Sequence, residues 1–374
     1  MSWSDHHSLS EKLAVEAEMA RRKGLPQTAE ELYRKAAAEE AAALDAIQGN
    51  KHRTRGVTAV SAVALWYKGR EFSVAERSAH QYLAAGGIPS FAIVQLRDLL
   101  NAIWTASAAA QAGITFVPGD VLVSVKGGLV IHGGAPLDLI IQKVEGIQSV
   151  LFRTVEMLLE RPFRRRGGPP NDVQSMFTPW LFQAPAGSYQ FAVRMQEPQQ
   201  KDFWEAHRPR IQRVTSTFFQ VLQATANGPE EELSGVVQDK EYRNAFVNLT
   251  RNLAPVGTTF DRLEVRDASA PSQPVVTLGA GTRQVLNATL RKMRPPIVNT
   301  DQQVTFSGIL RGLHLDNDWL EVTTPDAPAG DHVRIYEANE VLDDVVGPMV
   351  NRRVLVTAVR HANRYLYRDI ELEE

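Results

Sequence analysis

The segment that most constrains how this chain can fold is residues 24–36, GLPQTAEELYRKA. Its glycine and proline interrupt a helical pattern, because glycine adopts turn conformations readily and proline has no backbone N–H to donate. Ala29, Tyr33 and Ala36 then recur at helical spacing, which places two small residues and one aromatic residue on a single helix face. The pattern predicts two short helices that pack closely, as in an interaction scaffold.

The same pattern extends over residues 9–112, which read as helical because alanine, leucine and charged helix formers dominate them. Ser10 is the predicted cap of the first helix, since its hydroxyl can accept a hydrogen bond from a free backbone N–H. A second pair of helices turns at Gly69, and a last helix begins near Ser90.

Gly24, Ala29, Tyr33 and Ala36 resemble the second half of a tetratricopeptide repeat, in which a glycine precedes an alanine–aromatic–alanine ladder. The resemblance covers a little over a quarter of the chain, and a plain helical bundle is the alternative. It implies stacked helical hairpins that recruit a protein partner. The predicted partner-binding residues are the aromatic side chains of these helices, namely Tyr33, Trp66, Tyr67, Phe72 and Tyr82.

Composition bounds the rest of the molecule. The 374 residues exceed one ordinary core and indicate two or three domains. The formal net charge of -2, from 41 basic and 43 acidic residues, argues against wholesale binding to nucleic acid or an anionic membrane. The chain has no cysteine, which excludes disulfides, thiolate catalysis and cysteine-ligated metals.

The expected location is the cytoplasm, without a membrane partner. The first residues are polar and lack the apolar stretch of a secretory signal. No run approaches the 18 consecutive apolar residues of a spanning helix.

Residues 113–255 are predicted as an α+β domain. An alternating run at 121–125, followed by Gly127-Gly128 and a second apolar run, indicates a β-hairpin. A long amphipathic helix follows and ends at Arg161-Pro162, because its apolar residues recur at spacings of three and four. Residues 161–187 are expected to be a loop that leads into a strand.

Residues 256–374 are predicted as a β-rich domain, in which one helix interrupts several short strands separated by turn residues. Such strands suggest a small barrel or a curled sheet. The predicted fold class is therefore multidomain α+β, with a tetratricopeptide-like helical domain at 1–112, an α+β domain at 113–255 and a small-barrel-like domain at 256–374.

A basic run in the expected loop is the first candidate site outside the helices. Guanidinium groups suit phosphates, and nearby glycines let backbone N–H groups approach an anion. A solvated loop at a helix C-terminus is the alternative, because cations there offset the helix dipole. The predicted polyanion-binding residues are Arg161, Arg164, Arg165 and Arg166.

Other patterns are weaker. Residues 314–318 resemble half of a calcium loop but lack its glycine and its distant glutamate, so a polar turn is expected. Ser188 lacks the surroundings of a nucleophile elbow. The nine histidines are dispersed and show no HExxH spacing. No catalytic residue, metal ligand or cofactor is predicted.

Two further segments carry alternatives. The aromatic cluster at 176–182 is either a docking patch or the anchor of a long loop. The arginines of the C-terminal strands form either a face for single-stranded nucleic acid or a charged surface that protects a sheet edge. These arginines are Arg352, Arg353, Arg360, Arg364 and Arg368.

Taken together, the residues predict a non-enzymatic cytoplasmic scaffold or sensor that recruits a protein partner through its N-terminal helices. A nucleic-acid-binding module that uses the arginine-rich loop or the C-terminal barrel is the first alternative. An enzyme whose site assembles only in three dimensions, within the central domain, is the second.

Overall fold

The structure is a computed structural model and consists of two compact units, Met1–Thr115 and Phe116–Glu374, each with its own internal contacts. It has five N-terminal helices and two later sheets, so the protein is a multidomain α+β protein. The residues that it describes are 1–114, 116, 121–131, 133–183, 189–196, 211–257, 259–268, 273–293, 302–314, 316–324, 332–338 and 342–373.

The first unit is built from five helices that follow one another through short turns. They are α1 (Trp3–Arg22), α2 (Pro26–Asp45), α3 (His52–Lys68), α4 (Phe72–Ala85) and α5 (Ser90–Gln111). Ser2 caps α1, whereas Ser10 was the predicted cap and is buried within that helix. Gly24 ends the α1 turn with a φ of 74°, and proline occupies the first turn of α2, where its missing N–H costs nothing.

Small residues bring these helices together. Ala17, Ala36 and Ala62 are fully buried on α1, α2 and α3. Because an alanine side chain is short, neighbouring helix backbones approach closely and the interface excludes water. Gly56 of α3 allows the same approach to α5, since a Cβ there would lie 2.6 Å from Pro89 Cδ.

The second unit begins with the helices and strands of its first sheet. These are β1 (Val121–Lys126), α6 (Leu137–Leu158), α7 (Asn171–Met176), β2 (Thr178–Gln183), β3 (Gln190–Gln196), α8 (Ile211–Asn227), α9 (Glu232–Val236), α10 (Lys240–Leu253), β4 (Arg262–Asp267), β5 (Val276–Gly279) and α11 (Ala280–Met293). The later elements are β6 (Gln302–His314), β7 (Trp319–Thr323), β8 (His332–Tyr336), β9 (Arg353–His361) and β10 (Arg364–Leu372), with two short helical turns over 342–349.

The first sheet is antiparallel and has the order β2-β3-β1-β4-β5. The hairpin predicted from residues 121–131 is wrong, because Val123 pairs with Phe191 on one side and Val265 on the other. Leu129 and Ile131, the predicted second strand, are exposed outside the sheet. The local pattern identified a strand correctly but assigned it the wrong neighbour.

The amphipathic helix predicted after β1 is present as α6, and it ends before Arg161 as expected. Its apolar stripe, which includes Ile147, Leu151 and Val155, is buried in a core shared with α8, α10 and the first sheet. None of the described helices is both long enough and apolar enough to cross a membrane.

The second sheet closes on itself. β6 pairs with β7 and β9, β7 with β8, and β8 pairs in parallel with β10, which returns to β9. Every strand of this sheet therefore has two neighbours. The predicted boundary between residues 255 and 256 does not separate the two sheets, because β4 and β5 pair into the first.

The close approach at Gly56 leads to a stability prediction for the helical unit. We expect Gly56→Ala to lower its free energy of unfolding by about 1–3 kcal/mol, because the new methyl group overlaps Pro89 and Ala92. Chemical denaturation followed by circular dichroism measures this loss.

Gly281→Ala in α11 is the matched control, since no atom lies within 4 Å of the added Cβ. At Gly281 the same change is expected to raise the free energy of unfolding by about 0.5–1 kcal/mol, because alanine has a higher helix propensity than glycine. Equal effects at both positions would contradict a close contact at Gly56.

Candidate functional site

Tyr33 is part of the helical core and is not offered to a partner. Only 4% of its surface is exposed, and its hydroxyl donates to Glu18 Oε2 at 2.8 Å. Burial and the bond to Glu18 raise its pKa to about 12. Tyr33 therefore offers little surface to a partner, because its ring is buried with Ala17 and Ala20 of α1.

The other four predicted aromatic residues, Trp66, Tyr67, Phe72 and Tyr82, are half-buried. All four pack against an inner cluster formed by α3, α4 and α5. The pKa of Tyr82 is raised, chiefly by burial and then by Asp45. These side chains hold the hairpins together with most of their surface, and only their outer edges reach solvent.

The exposed apolar surface of the helical unit lies elsewhere. The structure describes all of residues 1–114. Among the helices of this segment, every large apolar side chain that is more than a third exposed lies on α1, α3 or α5. We call this set the odd-helix surface. It comprises Leu9, Val15 and Met19 of α1, Val57 of α3, and Phe91, Val94 and Trp104 of α5.

The three helices that carry the odd-helix surface are neighbours. The indole N–H of Trp3 in α1 donates to Thr58 Oγ1 in α3 at 3.2 Å. Leu65 of α3 packs against the cluster that contains Ala17 of α1. On its other side α3 packs against α5, at the contact made by Gly56.

An acidic group accompanies the apolar residues on α5. Phe91, Val94 and Asp98 are spaced by three and four residues and share the face opposite the buried Leu96 and Leu100. Burial raises the pKa of Asp98. Across residues 1–114 the structure gives its carboxylate no hydrogen bond or ion pair.

The sequence analysis does not identify the odd-helix surface, because it predicts α5 as a helix without assigning its apolar residues to faces. The predicted last helix carries five of these apolar residues, namely Phe91, Val94, Leu96, Leu100 and Trp104. Their angular positions carry the missing signal, since Phe91 and Val94 lie far from the face that Leu96 and Leu100 define. A helix that is apolar on two faces indicates a second surface to cover.

Each arginine of the predicted polyanion site pairs with an acidic side chain of the protein itself. Arg161 pairs with Asp172 at 2.5 Å and Arg164 with Glu156 at 2.9 Å. Arg165 pairs with Glu241 at 2.6 Å. Arg166 likewise meets a carboxylate, on Asp318 at 2.5 Å. A phosphate would have to displace an acid at each position.

One of these pairs belongs to a buried network. Arg153, which is almost fully buried, donates to Glu156 and Asp344, and Arg164 bonds the same two acids. Phe163 lies under the Arg153 guanidinium at 4.7 Å, so its ring is not available to stack on a base. This network is a structural element of the second unit.

The remaining weak patterns find structural roles or fall outside the described residues. Residues 316–318 form the expected turn. Across the residues that the structure describes, no three histidine or acidic side chains gather as metal ligands. Gly127, with a φ of 80°, is a turn residue packed against Asp261. Ser188, His132 and His207 lie outside the described residues.

The aromatic segment at 176–182 is partly a strand, which corrects the predicted loop. Phe177 is buried, whereas Trp180 and Leu181 of β2 are exposed at the edge of the first sheet. Phe116 packs edge-on against Trp180 and Phe182. The segment thus anchors itself with some rings and exposes others.

The Glu18–Tyr33 contact makes the helical unit sensitive to acid. Bonds from Arg21 and Tyr33 lower the pKa of Glu18 from 4.5 to about 2, so its contribution to stability is complete above pH 4.5 and is lost as the pH falls toward 2. We expect Glu18→Gln to lower the free energy of unfolding by about 1 kcal/mol at neutral pH, because solvent screens this part-exposed group.

Denaturant titrations at a series of pH values measure this difference. Glu31→Gln, an exposed position on the neighbouring helix α2, is the control and is expected to change little. A Glu18→Gln deficit that persists unchanged at pH 2 would refute the assigned role.

The paired arginines lead to a prediction about nucleic acid. We expect the full chain to leave a single-stranded oligonucleotide unretarded on a native gel at physiological salt, because Arg165 and Arg166 already face carboxylates. Retardation that weakens in Arg165→Gln or Arg166→Gln protein would restore the loop as a binding site.

Comparison of the chain with protein-family models, with curated proteins and with solved structures found no match. The resemblance to tetratricopeptide repeats therefore stays a prediction.

Proposed function

We propose that the protein is a scaffold that recruits a protein partner through the odd-helix surface. The observation that carries this proposal is that, among the five helices of the first unit, the exposed large apolar side chains lie on α1, α3 and α5. Exposed apolar residues scattered singly need no explanation, but a set confined to neighbouring helices is typical of an interaction site. The helices keep the role that the sequence predicts, which is to bind a protein partner. The proposed contact residues are those of the odd-helix surface and not the five predicted aromatic residues.

The proposed partner is an amphipathic segment with apolar side chains and a basic one. The apolar side chains would cover Val57, Phe91 and Val94, removing their surfaces from water. The basic side chain would pair with Asp98, whose burial without a counter-charge favours its neutral form. Such a segment matches both the exposed apolar side chains of α3 and α5 and the carboxylate of Asp98, which is unpaired among the described residues.

This proposal includes the finer architecture that the sequence predicts. We take the five helices as tetratricopeptide-like hairpins, in which α3 and α5 are the first helices of successive hairpins and so lie side by side. We take the closed pairing of β6–β10 as the predicted small barrel. The proposed setting is the cytoplasm, in agreement with a chain that has no cysteine.

The test compares two single substitutions on adjacent helices. Val94→Asp places a charge in the odd-helix surface, and Gln81→Asp places one on an exposed position of α4. We expect Val94→Asp to remove bound proteins that the unaltered chain and Gln81→Asp both retain, when equal amounts of each are used as bait. Quantitative mass spectrometry of the bound fraction measures the difference.

Both variants change exposed residues, so equal unfolding midpoints are expected and serve as the folding control. Asp98→Asn tests the charge contribution, and we expect it to weaken binding of the recovered partner about tenfold. A bound fraction that is the same for Val94→Asp and Gln81→Asp would refute this surface as the recruiting element.

A further inference from the structure

The second unit contains a cleft of about 510 Å³, which the prediction of sites from sequence did not include. Its walls come from the start of α6, the end of α10, one position on α11 and the ends of β9 and β10. It therefore lies between the helices of the first sheet and the closed second sheet. A cleft of this volume fits a small molecule.

The lining of the cleft carries more positive than negative charge. Lys143, Arg283, Arg352 and Arg353 contribute four cations, against two acids, Asp138 and Glu373. Glu373 is already neutralised, since its carboxylate accepts from Arg353 at 3.1 Å and from the Ser307 hydroxyl. Its pKa is lowered by these two bonds.

Two of the cations are deeply buried. Lys143 is 2% exposed, donates to the Asn252 carbonyl at 2.9 Å and lies over the Phe260 ring. Arg283 bonds the Arg251 carbonyl and Glu371. Burial, followed by the nearby Arg251 cation, lowers the pKa of Arg283. The cleft wall thus contains two buried cations, of which Arg283 is paired with Glu371.

Arg352 supplies a cation that the described part of the protein does not use. It is half-buried immediately before β9, and its guanidinium makes no hydrogen bond or ion pair with any described residue. By contrast, its neighbour Arg353 is paired with Glu373. A guanidinium fork without a protein partner, in the wall of a cleft, is suited to a bidentate contact with a carboxylate or a phosphate.

We propose that this cleft binds a small organic anion that carries a phosphate or carboxylate group, with Arg352 as its principal contact. Thr259 and Gln142 also line the cleft and offer a hydroxyl and an amide for the neutral part of such a ligand. The site lies in the second unit, so it goes beyond the proposed scaffold function, which concerns the helical unit alone.

The experiment titrates the full chain with inorganic phosphate, pyrophosphate, citrate and adenosine monophosphate, with adenosine as the uncharged comparison. Isothermal titration calorimetry at physiological ionic strength gives the affinities. We expect at least one anion to bind with one-to-one stoichiometry and adenosine not to bind. The phosphates and citrate distinguish the two possible acidic groups.

Arg352→Gln is expected to weaken that binding by about tenfold or more, the effect of losing a charged hydrogen bond. Arg360→Gln is the matched control, because it removes the same charge from an exposed position at the other end of β9. The control variant is expected to bind the anion as tightly as the unaltered chain does. This comparison separates a direct contact between Arg352 and the ligand from the general attraction of anions to positive charge.

Gln142→Glu is a second variant, which places a negative charge on the opposite wall without touching β9. We expect it to weaken binding as well, so the test stands even if Arg352→Gln folds poorly. The proposal is overturned if no anion in the panel binds, or if Arg352→Gln and Arg360→Gln reduce the affinity equally.

Discussion

Two buried arginines join the helices of the second unit to its closed sheet, and the geometry of that unit depends on them. Arg251 of α10 donates to Asp369 and to the Ile370 carbonyl of β10, both at 2.8 Å. Arg283 of α11 reaches Glu371 of the same strand at 3.2 Å. Removing Asp369 would leave the buried Arg251 cation without its counter-charge, which is destabilising. These bonds fix where the inner wall of the cleft lies.

The same constraint explains why charge in this sequence is a poor guide to function. A net charge of -2 hides many cations, and most of those that the sequence singles out, such as Arg164, are committed to internal acids. Positive charge is available to a ligand only where the fold supplies a cation without an acid. Among the described residues of the cleft, Arg352 meets that condition, although its sequence neighbour does not.

The sequence predicts elements with strong periodicity and fails where a partner lies far along the chain. The stripe of α6 and the strand β9 follow from local patterns, because each has one face that is mostly buried. The neighbours of β1 do not, since β4 lies more than a hundred residues away. The cleft is beyond prediction for the same reason, because its walls are drawn from residues 138–143, 252–259, 283 and 352–373.

Each unit is stabilised internally by its own kind of interaction. This difference affects the surface that each unit can offer to a ligand. The helical unit brings its helices together at small buried residues such as Ala36, and seven of its larger apolar side chains are exposed on the odd-helix surface. The described part of the second unit pairs many of its cations with acids and contains a polar, concave cleft. An apolar surface suits another polypeptide, whereas a positive cleft suits a small anion. The two proposals therefore give different classes of ligand to the two units.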